Sequence, residues 1–127
     1  GAFVASATVE SMSSAMPAAS FAMMLAVQHL DVLGITTIGG NCTLENVTRN
    51  ALKVLEVLGR TDIPVFSGHS CPTTVPLVTA PQFHGETGLD GPVLPEPTIK
   101  AQSKHAVDFI VETVMNTEDV TLIATGP

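Results

Sequence analysis

The chain has 127 residues, 45% hydrophobic and 13% charged, with a net charge of −7 from 5 basic and 12 acidic side chains. That length suffices for one domain around a single core, and the composition is far from that of a disordered chain. So few Lys and Arg argue against a duplex nucleic-acid binder, and no apolar run is long enough to span a bilayer.

The chain opens unusually. Residues 5–20 are nearly all Ala, Ser, Met, Thr and Val, with one acid, Glu10, and no strand-like alternation. Residues 20–29 follow, and the spacing of Phe21, Met24, Leu25 and Gln28 predicts a short, buried helix. Residues 31–38 are the first predicted strand. Their continuous apolar character fits a parallel strand covered on both faces.

That strand ends at Gly39-Gly40-Asn41, and a helix opens a few residues later. In open α/β sheets ligands bind beyond the carboxyl ends of the strands. Asn41, an amide beside two glycines at that spot, is therefore a candidate ligand-binding residue. Thr43 can cap the helix, and Glu45 in its first turn complements the helix dipole. Leu44, Val47, Ala51, Val54, Leu55 and Leu58 form one apolar stripe, and Gly59 predicts a left-handed stop. A second strand is expected over residues 62–66, with Pro64 marking a sheet edge or a strand beginning.

Residues 67–100 read as a long loop, holding most of the prolines and glycines. A loop of that length in a compact domain usually carries function or belongs to an interface. Within it, Phe83-His84-Gly85-Glu86-Thr87-Gly88-Leu89-Asp90-Gly91 places an imidazole among acids and glycines. His84 is a candidate proton donor or hydrogen-bond partner for a ligand hydroxyl. The competing reading is an exposed polar loop with glycines set for its turns. His29, His69 and His105 stand singly in the sequence and read as surface or capping residues.

A helix marked by Val107, Ile110, Val111 and Val114 comes next, then a strand at Val120-Thr121-Leu122-Ile123-Ala124. The order of helices and strands predicts an α/β fold with an open, mostly parallel sheet flanked by helices. A chain that stops on a core strand is expected to be a fragment, or to have the missing layer supplied by a partner.

The two cysteines, Cys42 and Cys71, make neither a disulfide framework nor a zinc pattern, and read as small, mostly buried residues. The glycosylation-type triplets at Asn41 and Asn46 fall where a helix starts and read as incidental. No basic segment followed by an apolar one marks a leader peptide; a secreted chain already freed of its leader would look the same.

Several ordered segments carry a family resemblance. They are Ile35-Thr36-Thr37-Ile38-Gly39-Gly40-Asn41, Thr48-Arg49-Asn50-Ala51-Leu52, Gly59-Arg60-Thr61-Asp62-Ile63-Pro64-Val65 and His84-Gly85-Glu86-Thr87-Gly88. Ala106-Val107-Asp108-Phe109-Ile110 and Thr121-Leu122-Ile123-Ala124-Thr125-Gly126-Pro127 continue the series. From about Phe21 onward the sequence resembles the N-terminal half of the inosine–uridine-preferring nucleoside hydrolases. The resemblance implies the Rossmann-like half of that fold as one domain over residues 1–127, and a cytoplasmic location. It also implies hydrolysis of the N-glycosidic bond of ribonucleosides by a calcium-bound water. By the same resemblance Asn41 binds ribose, His84 lies near the 5′ end of the sugar, and Thr125 offers its backbone carbonyl to calcium.

The family's opening motif, D-x-D-P-G-x-D-D, supplies the calcium ligands and the base towards the water. Aligned backwards from Ala22-Met23-Met24-Leu25-Ala26, Ala18 and Ala19 stand where the paired acids belong, and Ser14 and Met12 near the earlier two. The family's C-terminal site residues have no counterpart here. Calcium without anionic ligands binds weakly, so the chain is expected not to hold calcium and not to hydrolyse nucleosides. Two other roles are compatible with the sequence. One is a non-catalytic structural protein that forms a homo-oligomer or binds a covering chain. The other is a nucleoside or sugar binder using Asn41 and His84.

Overall fold

The computed structural model describes residues 2–7, 28–89 and 93–125. Four described strands form one parallel sheet: β1 (Ala2–Ala7), β2 (Asp31–Thr37), β3 (Val65–Ser67) and β4 (Val120–Ala124). Their order is β3-β2-β1-β4. Three helices are described: α1 (Leu44–Val57), the short α2 (Pro81–His84) and α3 (Ala106–Asn116). Of the helix expected over residues 20–29, Gln28 and His29 are helical and residues 20–27 lie outside the described residues.

The sheet corrects one expectation. The chain opens on a strand, β1, which runs parallel between β2 and β4. Ala2-Phe3-Val4-Ala5-Ser6-Ala7 has neither a β-branched run nor alternation. Its conformation is set by hydrogen bonding to a strand on each side, the context dependence expected of strand formation. Val4 is fully buried.

The other strands follow the sequence closely. β2 buries Val32, Ile35, Thr36 and Thr37, as a two-sided parallel strand should. β3 begins just after Pro64 and lies at the sheet edge, the position that tolerates a proline. Pro64 still contributes its carbonyl, which accepts from the Ile35 N–H at 2.9 Å.

α1 covers one face. Thr43 caps it by accepting from the Asn46 N–H at 3.4 Å, and Gly59, at φ +67°, ends it in the left-handed region as expected. Its stripe packs on β2 and β3 in a core of Val32, Ile35, Ala51, Leu52, Val54, Leu55, Ile63 and Val65. The opposite face carries Gly34 and Phe66, and α3 docks there. Phe109 stacks on Phe66 with centroids 3.9 Å apart, directly over Gly34. A methyl group on Gly34 would stand 2.6 Å from the Phe109 ring, so this close approach requires glycine. The apolar residues that announce α3 mostly do not face the sheet: Val107, Val111 and Val114 are exposed, while Ala106 is buried.

The predicted long loop is present, with α2 as its one described helix. It is pinned to α1 at several points. Glu56 accepts from the Thr98 hydroxyl at 2.7 Å and the Ile99 N–H at 2.8 Å, and Lys53 pairs with Glu96 at 2.7 Å. Leu89 and Ile99 pack against the α1 core.

Candidate functional site

All four strands run the same way, so their carboxyl ends share one edge of the sheet: Ala7, Thr37, Ser67 and Ala124. The segments leaving β2 and β3 are tied together there. The Gly39 N–H donates to the His69 carbonyl and the Gly68 N–H to the Thr37 carbonyl, at 2.9 and 2.8 Å. A Cβ on Gly39 would lie 2.4 Å from the Ser70 carbonyl oxygen, so the two backbones meet only because residue 39 has no side chain.

Asn41 and His84 are each bonded through the backbone to Ala80. The Ala80 N–H donates to the Asn41 carbonyl at 2.8 Å, and the Ala80 carbonyl accepts from the His84 N–H at 3.1 Å. Ala80 is thus the single residue that bridges the end of β2 to the end of α2. The next residues lie on α1: the Asn46 amide donates to the Glu86 carbonyl at 3.0 Å and the Asn50 amide to the Thr87 carbonyl at 2.8 Å. The Arg49 guanidinium donates to the Asn46 side-chain oxygen at 3.0 Å. With both ends of its amide engaged, Asn46 is occupied within the fold.

His84 is not part of an exposed polar loop. It is 7% exposed, and its Nδ1 has no hydrogen-bond partner among the described residues. Burying a ring nitrogen unpaired costs about 1–3 kcal/mol, and such groups call for an explanation.

Thr125 follows β4 directly and is exposed. It shares the carboxyl edge with Asn41 but stands two strands away from β2, roughly 10 Å at ordinary strand spacing. The end of β1 lies between them. Residues 8–27, which leave that end, are outside the described residues, and with them Met12, Ser14, Ala18 and Ala19.

Polar features that the linear sequence hides also gather here. Thr37, Thr48 and Ser67 form a hydroxyl chain, Oγ1 to Oγ1 at 2.8 Å and Oγ1 to Oγ at 3.3 Å. Only the pairing of β2, β3 and α1 brings them into contact. Asn46, Arg49 and Asn50 share one helical face, and their i, i+3, i+4 spacing was a readable signal. His69 and His105 do not stand alone: their rings meet edge to face, centroids 4.8 Å apart, and the His105 imidazole caps α3 by accepting from the Val107 N–H. Cys42 is buried, but Cys71 is exposed, because it lies on the loop beyond β3.

The donors at this edge do not suit calcium, which takes six to eight oxygens with carboxylates prominent among them. Residues 38–41, 68–71 and 125, which directly follow β2, β3 and β4, include no Asp or Glu. Residues 8–27, after β1, include only Glu10. Among the described residues no group of three His, Cys, Asp or Glu side chains could hold a metal.

Comparison with known proteins gives a consistent relationship. The family model described as inosine-uridine preferring nucleoside hydrolase matches residues 18–127. The pyrimidine-specific ribonucleoside hydrolase RihA of Photobacterium profundum is 49% identical over 100 residues, covering 78% of this chain and 32% of that protein. A solved plant nucleoside hydrolase, PpNRh1, superposes at a TM-score of 0.80 with 28% identity, covering 99% of this chain and 39% of that one. The purine-preferring ribonucleoside hydrolase of Gardnerella vaginalis superposes at 0.83 with 24% identity, covering 40% of its own length, and supports the fold. The chain therefore spans about a third of the curated relative it matches. On the family match, the sequence identity and the parallel α/β sheet together, this chain belongs to the inosine–uridine-preferring nucleoside hydrolase family.

Proposed function

We propose that this chain carries the ribose-recognition corner of a nucleoside hydrolase site and does not itself break the N-glycosidic bond. The observation that carries this reading is His84: buried, without a partner at Nδ1 among the described residues, and held by two successive backbone hydrogen bonds to the segment of Asn41. Asn41 and His84 are the side chains proposed to meet the sugar hydroxyls, with a nucleoside or ribose as ligand.

In the family reaction the ribosyl carbon gains oxocarbenium-like character as the base departs, and a positioned water attacks it. Calcium would supply the lowered water pKa and the orientation. The Thr125 carbonyl is one neutral donor, and ligand charge count sets calcium affinity. By the resemblance, Ala18, Ala19, Ser14 and Met12 stand at or near the positions of the acids that would hold the ion and accept the water's proton. No hydrolytic step is therefore assigned to this chain.

The test is release of free base from inosine and uridine with and without EDTA, beside calorimetry with ribose and inosine. The expected result is no base release and measurable heat at millimolar ligand, lost in Asn41→Ala and His84→Ala. Base release abolished by EDTA would overturn the inactivity, and an absence of heat would remove the binding role. A second reading, a non-catalytic assembly element, rests on the exposed apolar side chains Val107, Val111, Val114 and Met115 of α3 and Leu122 of β4.

A further inference from the structure

His84 is held from two sides. Upstream, the Ala80 carbonyl accepts its N–H, and the Gly85 N–H donates to the Pro81 carbonyl at 2.9 Å. Downstream, Gly85 and Gly88 both take positive φ, +73° and +76°, and the Gly88 N–H closes on the Gly85 carbonyl at 3.3 Å. Residues 84–88 therefore form one tight turn, and a constraint on Thr87 reaches His84 within it.

α1 supplies that constraint. Asn50 is 2% exposed and lies in the middle of α1, where Ala or Leu would favour the helix more. Burying an amide there costs free energy unless it is hydrogen-bonded. Its Nδ2 donates to the Thr87 carbonyl at 2.8 Å, across 37 residues of sequence. Thr87 belongs to no helix or strand, so its carbonyl has no ladder partner of its own. Gly88 is seated between Asn50 and Cys42: a Cβ there would lie 2.5 Å from the Cys42 Sγ and 3.4 Å from the Asn50 Nδ2. Cys42 follows Asn41 directly. The Asn50 amide thus draws the turn that carries His84 against the turn that carries Asn41. Asn46, one helical turn earlier, donates to the neighbouring Glu86 carbonyl at 3.0 Å, but that bond is exposed and water competes for it.

We propose that Asn50 is a positioning residue for His84. At 2% exposure it has no surface to offer a sugar. Its bond to Thr87 holds the 84–88 turn on Cys42 and so fixes where the imidazole stands relative to Asn41. The effect on affinity rests on the reading of Asn41 and His84 as sugar-binding side chains; the placement of His84 does not.

The test uses the 127-residue chain with nitrogen-labelled histidine, followed by magnetic resonance, beside calorimetry with ribose and inosine. The His84 ring signals are assigned by their loss in His84→Ala. Asn50→Ala removes the donor, and Asn50→Asp keeps the shape while offering the Thr87 carbonyl no N–H. Both are read in sucrose, which keeps the folded state populated. Gly34→Ala is the control that loses stability on the other face of the sheet. Both Asn50 variants are expected to shift the His84 ring signals and to weaken ribose binding about tenfold, the scale of one hydrogen bond. Gly34→Ala should do neither. Unmoved His84 signals in both folded Asn50 variants would overturn the proposal. Equal shifts in Gly34→Ala would also overturn it, by showing that lost stability alone moves the imidazole. Shifted signals with unchanged affinity, or no heat from the unsubstituted chain, would remove the sugar reading and leave the placement of His84 by Asn50 decided by the signals alone.

Discussion

Gly34 is the point at which one missing side chain decides how a helix sits on the sheet. Its added methyl would meet the Phe109 ring at 2.6 Å and the Phe66 ring at 3.1 Å, so both stacked rings would have to shift. Gly34→Ala is expected to destabilise the fold by about 1–3 kcal/mol, the usual cost of overpacking. Urea denaturation reads this directly; an unchanged midpoint would show that the Phe66–Phe109 stack is not what seats α3. The sequence announces Gly34 only as a glycine within an apolar run, because its reason lies on a helix more than seventy residues later. His84 is the same kind of case. Its burial was not legible, since Ala80 and Asn41, which tie its segment down, act through their backbones. Thr43 and Gly59 were fully legible, because a cap is a local event whose partners lie within a few residues.

At the scale of elements, the long loop after β3 depends on one carboxylate. Glu56, on the last turn of α1, collects the Thr98 hydroxyl and the Thr98 and Ile99 N–H groups on a single oxygen. The Thr98 hydroxyl first, then the Ile99 N–H, hold its pKa below the ordinary 4.5. A carboxylate depressed in the folded state contributes stability that is present above the unfolded value and lost as pH falls through the folded one. Acidification below about 4.5 should therefore release the Thr98–Ile99 segment. Glu56→Gln keeps an accepting oxygen and removes the titration, so its stability should fall less steeply in that window. Asp62, held down by Arg60, and Glu96, held down by Lys53, keep a residual slope in both proteins. Denaturation midpoints at successive pH values test this; identical slopes would exclude Glu56 as the acid-sensitive pin. Strong local patterns made β2, α1, α3 and β4 readable. β1 was not, because small residues become a central strand only when two partners hydrogen-bond to them. The orientation of α3 was hidden too: its valines mark the helix, yet Phe109 and Ala106 choose the face.

For the molecule as a whole, calcium affinity is the measurement that tests whether family membership extends to family activity. Residues 38–41, 68–71 and 125, which follow β2, β3 and β4, include no Asp or Glu, and residues 8–27 include only Glu10. Binding to the native state alone raises stability by RT ln(1 + [L]/Kd). A site of micromolar affinity would gain about 4 kcal/mol in 1 mM calcium, whereas one of ten-millimolar affinity would gain less than about 0.1 kcal/mol. A domain of this size shifts its melting temperature by several degrees per kcal/mol, so the two cases are far apart. The melting temperature of this chain is expected not to move between EDTA and 1 mM calcium. Magnesium at the same concentration controls for ionic strength. A rise of ten degrees specific to calcium would mean that neutral oxygens and Glu10 suffice to hold the ion, and would return the hydrolytic role to this chain. No rise would support the proposal that this chain meets a sugar without a metal-activated water to attack it.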